Sequence, residues 1–251
     1  MSQKNLKYFV QKGTPVRYGV VPTKHDEWDN LFQNKISSNK YVFERTGSIV
    51  DADIVVFTGG VDVSPVLYGE RAIPETTFRP IRDVNDLIAW HFSANAQLRL
   101  GVCRGAQFLN VMGGGTLWQD VGINHLKNHD IYRFIPEDPH DPDNQTIIDA
   151  LQYRVTSTHH QMMRKGPKGV LMGVAMNEDT GSFSLCNLKK AEGTSLRLPE
   201  EVYDEEHLDA EIIWYPETRS LCIQGHPEYS QVSLDFANDV GKMIEEVLCA
   251  D

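Results

Sequence analysis

The chain has 251 residues, 41% hydrophobic and 24% charged, a balance typical of a globular domain large enough to bury a continuous core. Its formal charge of −11 and sequence pI of about 5.3 argue against nucleic acid or an anionic membrane surface as the main partner. No apolar run approaches the roughly 20 residues of a membrane span, and no apolar leader is recognised. We therefore expect one domain over residues 1–251 with no nucleic-acid or membrane partner.

The cysteines and histidines predict neither disulfides nor a metal site. The four cysteines, which show no C-x-x-C or other metal spacing, are Cys103, Cys186, Cys222 and Cys249. Three histidines in one Pro- and Asp-rich stretch also lack a tight ligand spacing: His125, His129 and His140. We expect a reducing, cytoplasmic setting, no metal and no cofactor.

The first half of the chain alternates strand and helix patterns. Leu6 to Val10 predicts a first strand, and Val16 to Val21 predicts its continuation or a second short strand. Apolar residues at helical spacing follow Asp26. The continuous apolar run Ile54 to Phe57 is typical of a parallel strand buried on both faces, and it ends at Gly59 and Gly60.

A second helical pattern over 82–92 leads into a predicted strand over 98–102. This order of elements predicts an α/β fold, an open and mostly parallel sheet with helices on both faces, as in flavodoxin-like architectures. Ligands bind such sheets outside the carboxyl ends of the strands. Gly59, Gly60 and Cys103 all follow such ends.

The second half has weaker patterns. Residues 124–149 are rich in Pro, Asp, His and Asn and predict a long irregular connection, and Tyr153 to Thr158 predicts a strand. Glu211 to Tyr215 and Ser220 to Gln224 predict a C-terminal β-hairpin, followed by an amphipathic helix over 231–249. The acidic segment 200–211 is interpreted as a solvated loop, with recognition of a cationic amine as the alternative.

The sharpest local motif is Gly101-Val102-Cys103-Arg104-Gly105. Glycines two residues before and after a cysteine permit a tight strand-to-helix turn, a nucleophile elbow that holds the side chain in a strained conformation. The helix N-terminus that follows favours the thiolate and directs backbone N–H groups at its target. A small buried structural cysteine is the alternative.

A base and its orienting group are found at His226-Pro227-Glu228. Residues i and i+2 of an extended chain project to the same side, so Glu228 can hold one imidazole nitrogen while the other faces Cys103. Backbone N–H groups of Gly60 and Arg104 are candidates for the oxyanion hole. The predicted reaction is acyl transfer through a thioester. An α/β-hydrolase is the rival fold, but its acid normally lies between nucleophile and histidine in sequence.

The motifs resemble those of the class I glutamine amidotransferase-like superfamily, and within it the γ-glutamyl hydrolases of peptidase C26 type, typified by γ-glutamyl-γ-aminobutyrate hydrolase. The matching blocks follow the family's order along most of the chain. They are FTGGVDVSPVLYGE (57–70) with RDVND (82–86), GVCRGAQFLNVMGGGTLWQDV (101–121), STHHQ (157–161) and IQGHPEY (223–229).

The resemblance implies a role for each matching residue. It makes Cys103 the nucleophile, His226 the base and Glu228 its partner, with Gly60 and Arg104 forming the oxyanion hole. It places Gln107 against the substrate's glutamyl group and the stretch around His159 and Gln161 at a second wall of the substrate site, with Gly59 as a further substrate-binding residue. Synthetase-coupled glutaminase domains usually have leucine at the position of Arg104, whereas γ-glutamyl-amine hydrolases commonly have arginine, so the resemblance favours stand-alone hydrolysis.

Three function classes follow from these residues. The first is a hydrolase of a small-molecule γ-glutamyl amide, such as glutamine or a γ-glutamyl amine. The second is a glutaminase subunit that passes ammonia to a synthetase partner in trans, because the 251 residues contain no synthetase domain. The third is a catalytically silent binding protein. A homodimer is compatible with each of them.

Overall fold

The fold is described from a computed structural model. The structure describes residues 3–11, 25–36, 38–122, 126, 128–141, 146–175, 189–190, 209–229 and 234–248. Several sequence predictions fall outside these ranges: the strand Val16 to Val21, residues 200–208 of the acidic segment, His125, Cys186 and Cys249.

The described residues form α-helices and the strands of one sheet. The helices are α1 (His25–Asn30), which continues as a π-helical turn (Leu31–Lys35), α2 (Pro80–Phe92), α3 (Arg104–Met112) and α4 (Leu234–Leu248). The first six strands are β1 (Lys4–Val10), β2 (Tyr41–Arg45), β3 (Ile54–Phe57), β4 (Leu98–Val102), β5 (Thr116–Trp118) and β6 (His129–Pro136). The others are β7 (Thr146–Val155), β8 (Met162–Arg164), β9 (Val170–Ala175), β10 (Lys189–Lys190), β11 (Ala210–Tyr215) and β12 (Ser220–Ile223). No helix in these ranges has the length and apolar character needed to cross a membrane.

One half of the sheet is parallel and carries the candidate site. Its strands lie in the order β2-β1-β3-β4-β12, and each neighbouring pair is parallel. Phe57 of β3 lies beside Gly101 of β4, and Val102 of β4 lies beside Ile223 of β12. The chain segments that follow these three strands therefore leave the sheet at the same edge. The predicted α/β fold class is confirmed.

The other half of the sheet is antiparallel from β12 to β7, and the two-residue strand β10 pairs with β7 in parallel. The predicted hairpin is present as β11 and β12, with Trp214 opposite Leu221, and β11 continues the sheet through β9 and β6 to β7. The irregular connection predicted over 124–149 is wrong, because this stretch contains all of β6 and the start of β7. The prediction was based on the many polar residues of this stretch. Paired antiparallel strands tolerate them, because only alternate side chains need to be buried and the backbone hydrogen bonds are made to the neighbouring strand.

Both faces of the sheet are covered by helices, as predicted. Ile54 and Val56 of β3 belong to a core that includes Trp28 of α1 and Phe236 of α4. Val55 and Phe57 belong to a second core on the opposite face, which contains Phe108 of α3 and Ala89 of α2. The four-residue apolar run of β3 is therefore buried on both sides, which explains why it shows no polar alternation.

The turn between β4 and α3 is held by backbone contacts that exclude side chains. Cys103 lies in this turn with φ 53° and ψ −116°, a conformation that costs a non-glycine residue energy. A Cβ on Gly101 would lie 2.6 Å from the Gly105 carbonyl oxygen, and a Cβ on Gly105 would lie 2.0 Å from the Phe57 carbonyl oxygen. The two glycines therefore allow α3 to begin directly against β3, and the predicted elbow is present.

A buried ionic network ties α2 to α3. Arg104 is 1% exposed, and its guanidinium contacts Asp83 at 2.5 Å and also pairs with Asp86. Arg82 binds the same Asp86 through both carboxylate oxygens, at 3.1 and 3.0 Å. Burial lowers the pKa of Arg104 and raises the pKa of Asp83, and the attraction between the two groups opposes both shifts.

The same arginines hold the loop that follows β3. Arg82 donates hydrogen bonds to the carbonyl oxygens of Thr58, at 2.8 Å, and Gly59, at 3.2 Å. Arg104 donates to the carbonyl of Val61 at 3.1 Å. The loop that runs beside Cys103 is therefore fixed by buried charge-assisted hydrogen bonds rather than by regular secondary structure.

The contact between α3 and β3 predicts a strong effect of one added methyl group. Gly105→Ala should lower the free energy of unfolding by roughly 3 kcal/mol or more, since the methyl would meet backbone that cannot rotate away. Gly47→Ala is the matched control, because nothing lies within 4 Å of its added Cβ, and it should change stability by about 0.5 kcal/mol or less. Urea unfolding measures both, and equal stabilities would contradict the close contact.

The ionic network predicts that Arg104→Leu is costly although leucine is smaller and apolar. Removing the guanidinium leaves Asp83 and Asp86 with one cation fewer, at a cost of about 3–5 kcal/mol. The cost should fall as the pH is lowered, because protonation neutralises the uncompensated carboxylate. Arg45→Leu, which breaks a half-exposed pair with Asp29, should cost about 1 kcal/mol or less. Urea unfolding measures both variants. An unchanged free energy of unfolding in Arg104→Leu would show that the network contributes no stability.

Candidate active site

Cys103 and His226 meet at the parallel edge of the sheet. Gly59 lies between them, so that a Cβ added to it would be 3.2 Å from Cε1 of His226 and 3.6 Å from Cβ of Cys103. The Cys103 side chain is also close enough to the His226 ring to interact with it electrostatically. Cys103 is 7% exposed and His226 3%, so the pair is largely shielded from water. The structure thus brings together three segments that the sequence analysis singled out separately.

Glu228 orients the imidazole from the other side. Its Oε1 lies 2.8 Å from Nδ1 of His226, across Pro227, as the i, i+2 spacing predicted. Burial disfavours the charged ring, but the Glu228 carboxylate and the Cys103 thiol outweigh it and raise the pKa of His226 well above 6.5. Tyr229 stacks parallel on the ring with the centroids 4.2 Å apart. These contacts hold a protonatable imidazole in one orientation next to a thiol.

Two further contacts around His226 and Glu228 were not predicted from the sequence. Oγ1 of Thr158 lies 3.2 Å from Nε2 of His226. Nζ of Lys35, on the π-helical turn after α1, lies 2.8 Å from the Tyr229 carbonyl oxygen and 3.3 Å from that of Glu228. Thr158 lies inside the STHHQ block, so the motif could have indicated it from the sequence. No sequence pattern around Lys35 indicates its contact with this site.

The two candidate oxyanion donors belong to the start of α3 and to the loop that follows β3. Arg104 is the first residue of α3, so its N–H has no acceptor within the helix. Gly60 follows Gly59 in the loop after β3 and has φ 154°, and a Cβ there would lie 3.1 Å from the Arg82 guanidinium. The side chain of Arg104 turns away into the ionic network. Only its backbone is available at the site.

Gln107 lies one turn into α3, and its backbone N–H donates to the Cys103 carbonyl at 3.1 Å. Its side-chain Nε2 lies 2.9 Å from the carbonyl oxygen of Gln161 and 3.3 Å from Oε1 of Gln224. All three glutamines are buried. Gln107 therefore joins α3 to the 157–161 segment and to the end of β12.

The side chain of Gln161 is buried with unmet hydrogen-bonding capacity. It is 1% exposed, and within the described ranges neither its Nε2 nor its Oε1 has a partner in hydrogen-bonding geometry. The hydroxyl of Tyr68 lies beside this amide and is also buried without a well-formed hydrogen bond in those ranges. An unpaired buried amide costs about 1–3 kcal/mol, so this position is suited to a polar ligand.

The adjacent histidines face opposite sides, as expected for neighbouring residues on extended chain. The ring of His159 is buried, with Nδ1 3.0 Å from the Gln161 carbonyl oxygen and Nε2 3.6 Å from Oε1 of Glu211. His160 is half-buried, 3.0 Å from Asp62 and 3.5 Å from Asp120. A hydrogen bond to Asp62 raises the pKa of His160 above its ordinary value. The group formed by His160, Asp62 and Asp120 joins three of the motif blocks, and the sequence analysis did not identify it.

Comparison with known proteins places these motifs in a family. The peptidase C26 family model matches residues 36–181, which include Cys103 and the STHHQ block and end before His226. The glutamine amidotransferase-like protein YvdE of Lactococcus lactis subsp. lactis is 36% identical over 170 residues, 64% of this chain and 71% of the relative. Its homologue from subsp. cremoris is 38% identical over 140 residues, 47% of this chain and 67% of the relative.

A solved structure supports the fold. It is that of a Thermoplasma acidophilum protein described as part of a GMP synthase, and the match covers 98% of this chain and 94% of the other, with a TM-score of 0.51 and 10% sequence identity. The resemblance stated from the motifs is confirmed: the chain belongs to the peptidase C26 family and has the class I glutamine amidotransferase-like fold.

Proposed function

We propose that the chain hydrolyses γ-glutamyl amide bonds through a glutamyl thioester on Cys103. The observation that carries this proposal is the buried line from Cys103 through His226 to Glu228, with the cysteine held in a strained elbow. Membership of the peptidase C26 family supports a hydrolase that acts on amide bonds. The choice of γ-glutamyl substrates rests on the motif resemblance and on the buried side-chain amide of Gln161.

The geometry supports a two-step mechanism. The Cys103 thiolate attacks the side-chain amide carbonyl of the substrate, and its proton resides on Nε2 of His226. The N–H groups of Gly60 and Arg104 stabilise the oxyanion of the tetrahedral intermediate. His226 then protonates the leaving amine, which departs and leaves the thioester. In the second step His226 takes a proton from water, which attacks the thioester and releases glutamate and Cys103.

The substrate's glutamyl end is assigned to Gln161. A free amino acid end carries both donors and acceptors, and the Gln161 amide offers one of each in a buried position beside the Tyr68 hydroxyl. Gln107 holds the Gln161 backbone from α3 and thereby fixes its distance from Cys103. Gly59 lies between the Cys103 and His226 side chains, where a residue with a side chain would crowd both.

A glutaminase that delivers ammonia to a separate synthetase is the second candidate. It is supported by the names of the relatives, which are described as glutamine amidotransferase-like, and by the fold shared with a protein described as part of a synthase. Arg104 does not discriminate between the two functions through its side chain, which lies in the ionic network and not in the site.

A substrate panel tests the proposed function. The purified chain alone should release glutamate from at least one γ-glutamyl amine with kcat/KM equal to or above that for glutamine. The panel holds γ-glutamyl amides of cationic, anionic and neutral amines, and Cys103→Ser serves as the blank. A chain that is inert on every γ-glutamyl amine, but hydrolyses glutamine once a synthetase is added, would establish the second candidate instead.

Covalent labelling tests the nucleophile. A glutamine-analogue electrophile should modify Cys103, whose side chain faces the site, and should spare Cys222, which is fully buried in β12. Cys103→Ala should abolish turnover and leave the unfolding free energy nearly unchanged. Peptide mass spectrometry locates the label, and modification of another cysteine, or normal activity of Cys103→Ala, would refute the assignment.

The two acid–base partners should contribute unequally. His226→Asn removes the proton carrier and should lower kcat by roughly 10⁴-fold or more. Glu228→Gln keeps a carbonyl oxygen beside Nδ1 of His226, so its loss in kcat should be about tenfold smaller than the loss in His226→Asn. Steady-state kinetics on the best panel substrate gives both values. A wild-type rate for His226→Asn would exclude the proposed base.

A further inference from the structure

Behind the active site, three side chains from remote parts of the sequence converge. They are His129 of β6, His159 of the 157–161 segment and Glu211 of β11, all at most 5% exposed. Oε1 of Glu211 lies 3.1 Å from Nε2 of His129 and 3.6 Å from Nε2 of His159. The ligand atoms of the three residues all lie within 4.8 Å of one another. A buried pair of imidazole nitrogens thus faces one carboxylate.

The hydrogen bond on the far side of His159 determines what its Nε2 presents. Nδ1 lies 3.0 Å from the Gln161 carbonyl oxygen, which only accepts, so Nδ1 carries the proton. In the neutral ring Nε2 then directs a lone pair at Oε1 of Glu211, 3.6 Å away. A buried lone pair and a carboxylate that face each other repel, and either a second proton on His159 or a metal cation between the two groups removes the repulsion. Orientation of the ring by an Nδ1–H to carbonyl bond is the usual outer-shell arrangement of a metal-bound histidine.

The spacing also suits a metal ion. Bonds of about 2.0–2.2 Å from zinc to nitrogen and carboxylate oxygen place tetrahedral ligand atoms roughly 3.3–3.5 Å apart. The two measured separations, 3.1 and 3.6 Å, lie on either side of that value. Two imidazoles and one carboxylate form a donor set typical of Zn²⁺, whereas Mg²⁺ and Ca²⁺ prefer sites made of oxygen ligands.

We propose that His129, His159 and Glu211 bind a divalent transition-metal ion of the Zn²⁺ type. The ion cross-links β6 and β11 to the segment that carries Thr158 and Gln161, and so supports one wall of the active site from behind. Its role is structural, because Cys103 lies on the other side of Gln107 and Gln161 and needs no metal for the proposed chemistry. This site departs from the expectation of no metal, which considered the spacing of His129 with sequence neighbours only.

Zinc titration of the whole chain tests the proposal. The Cys103→Ser background is used because a reactive thiolate is itself a zinc ligand. After treatment with a chelator, isothermal titration with Zn²⁺ should show one equivalent bound with micromolar or tighter affinity. Glu211→Gln and His129→Gln should each weaken binding by at least about 100-fold. His160→Gln is the matched control, since His160 belongs to the separate group with Asp62 and Asp120, and it should keep the stoichiometry.

Cobalt provides a measurement that needs no further variant. Co²⁺ bound to the Cys103→Ser chain should show the visible bands of a low-coordinate nitrogen and oxygen site, without a thiolate charge-transfer band. Circular dichroism checks that each variant is folded. Absence of Zn²⁺ binding in the Cys103→Ser chain, a thiolate band from cobalt, or loss of binding in His160→Gln would each overturn the proposal. Full affinity in both Glu211→Gln and His129→Gln would do the same.

Discussion

The site depends on the direct contact between the start of α3 and the end of β3. A Cβ at Gly105 would lie 2.0 Å from the Phe57 carbonyl oxygen, so the helix can begin here only without a side chain. This contact forces the chain to reverse within one residue, and that residue is Cys103, with its positive φ. The strain is offset by the packing of α3 and β3 in the core, which keeps the cysteine pointing out of the sheet edge.

A buried network of two arginines and two aspartates then determines the shape of the loop beside the cysteine. Charges of this kind stabilise a fold only weakly in net terms, because each must be taken out of water. Their hydrogen bonds to the carbonyls of Thr58, Gly59 and Val61 are geometrically specific, however, and they orient the backbone next to Cys103. The Arg104 side chain thus acts here through packing and charge, because its guanidinium lies in the ionic network and not at the candidate site.

The parallel order β3-β4-β12 turns three remote motifs into one site. The segments after these strands are Gly59-Gly60, Cys103 and His226-Pro227-Glu228, and the register of the strands makes them neighbours. The antiparallel half contributes the opposite wall, because the 157–161 segment follows β7 and contacts both His226 and Gln107. The proposed metal site would hold that wall to β6 and β11. The proposed catalytic edge is therefore built on parallel strands, and the proposed substrate wall is built on antiparallel ones.

Local patterns alone determined much of this protein. The apolar run of β3, the Gly-x-Cys-x-Gly turn and the i, i+2 relation of His226 and Glu228 each follow from the conformation of a few consecutive residues, and all three are present in the structure. The tertiary structure alone decided that residues 124–149 contain strands, because those strands are stabilised by partners far away in sequence. It also decided that His160 meets Asp62 and Asp120, that the side chain of Arg104 leaves the site, and that His129 meets His159 and Glu211. These contacts join residues separated by tens of positions, and only the order and register of the strands determine which of them become neighbours.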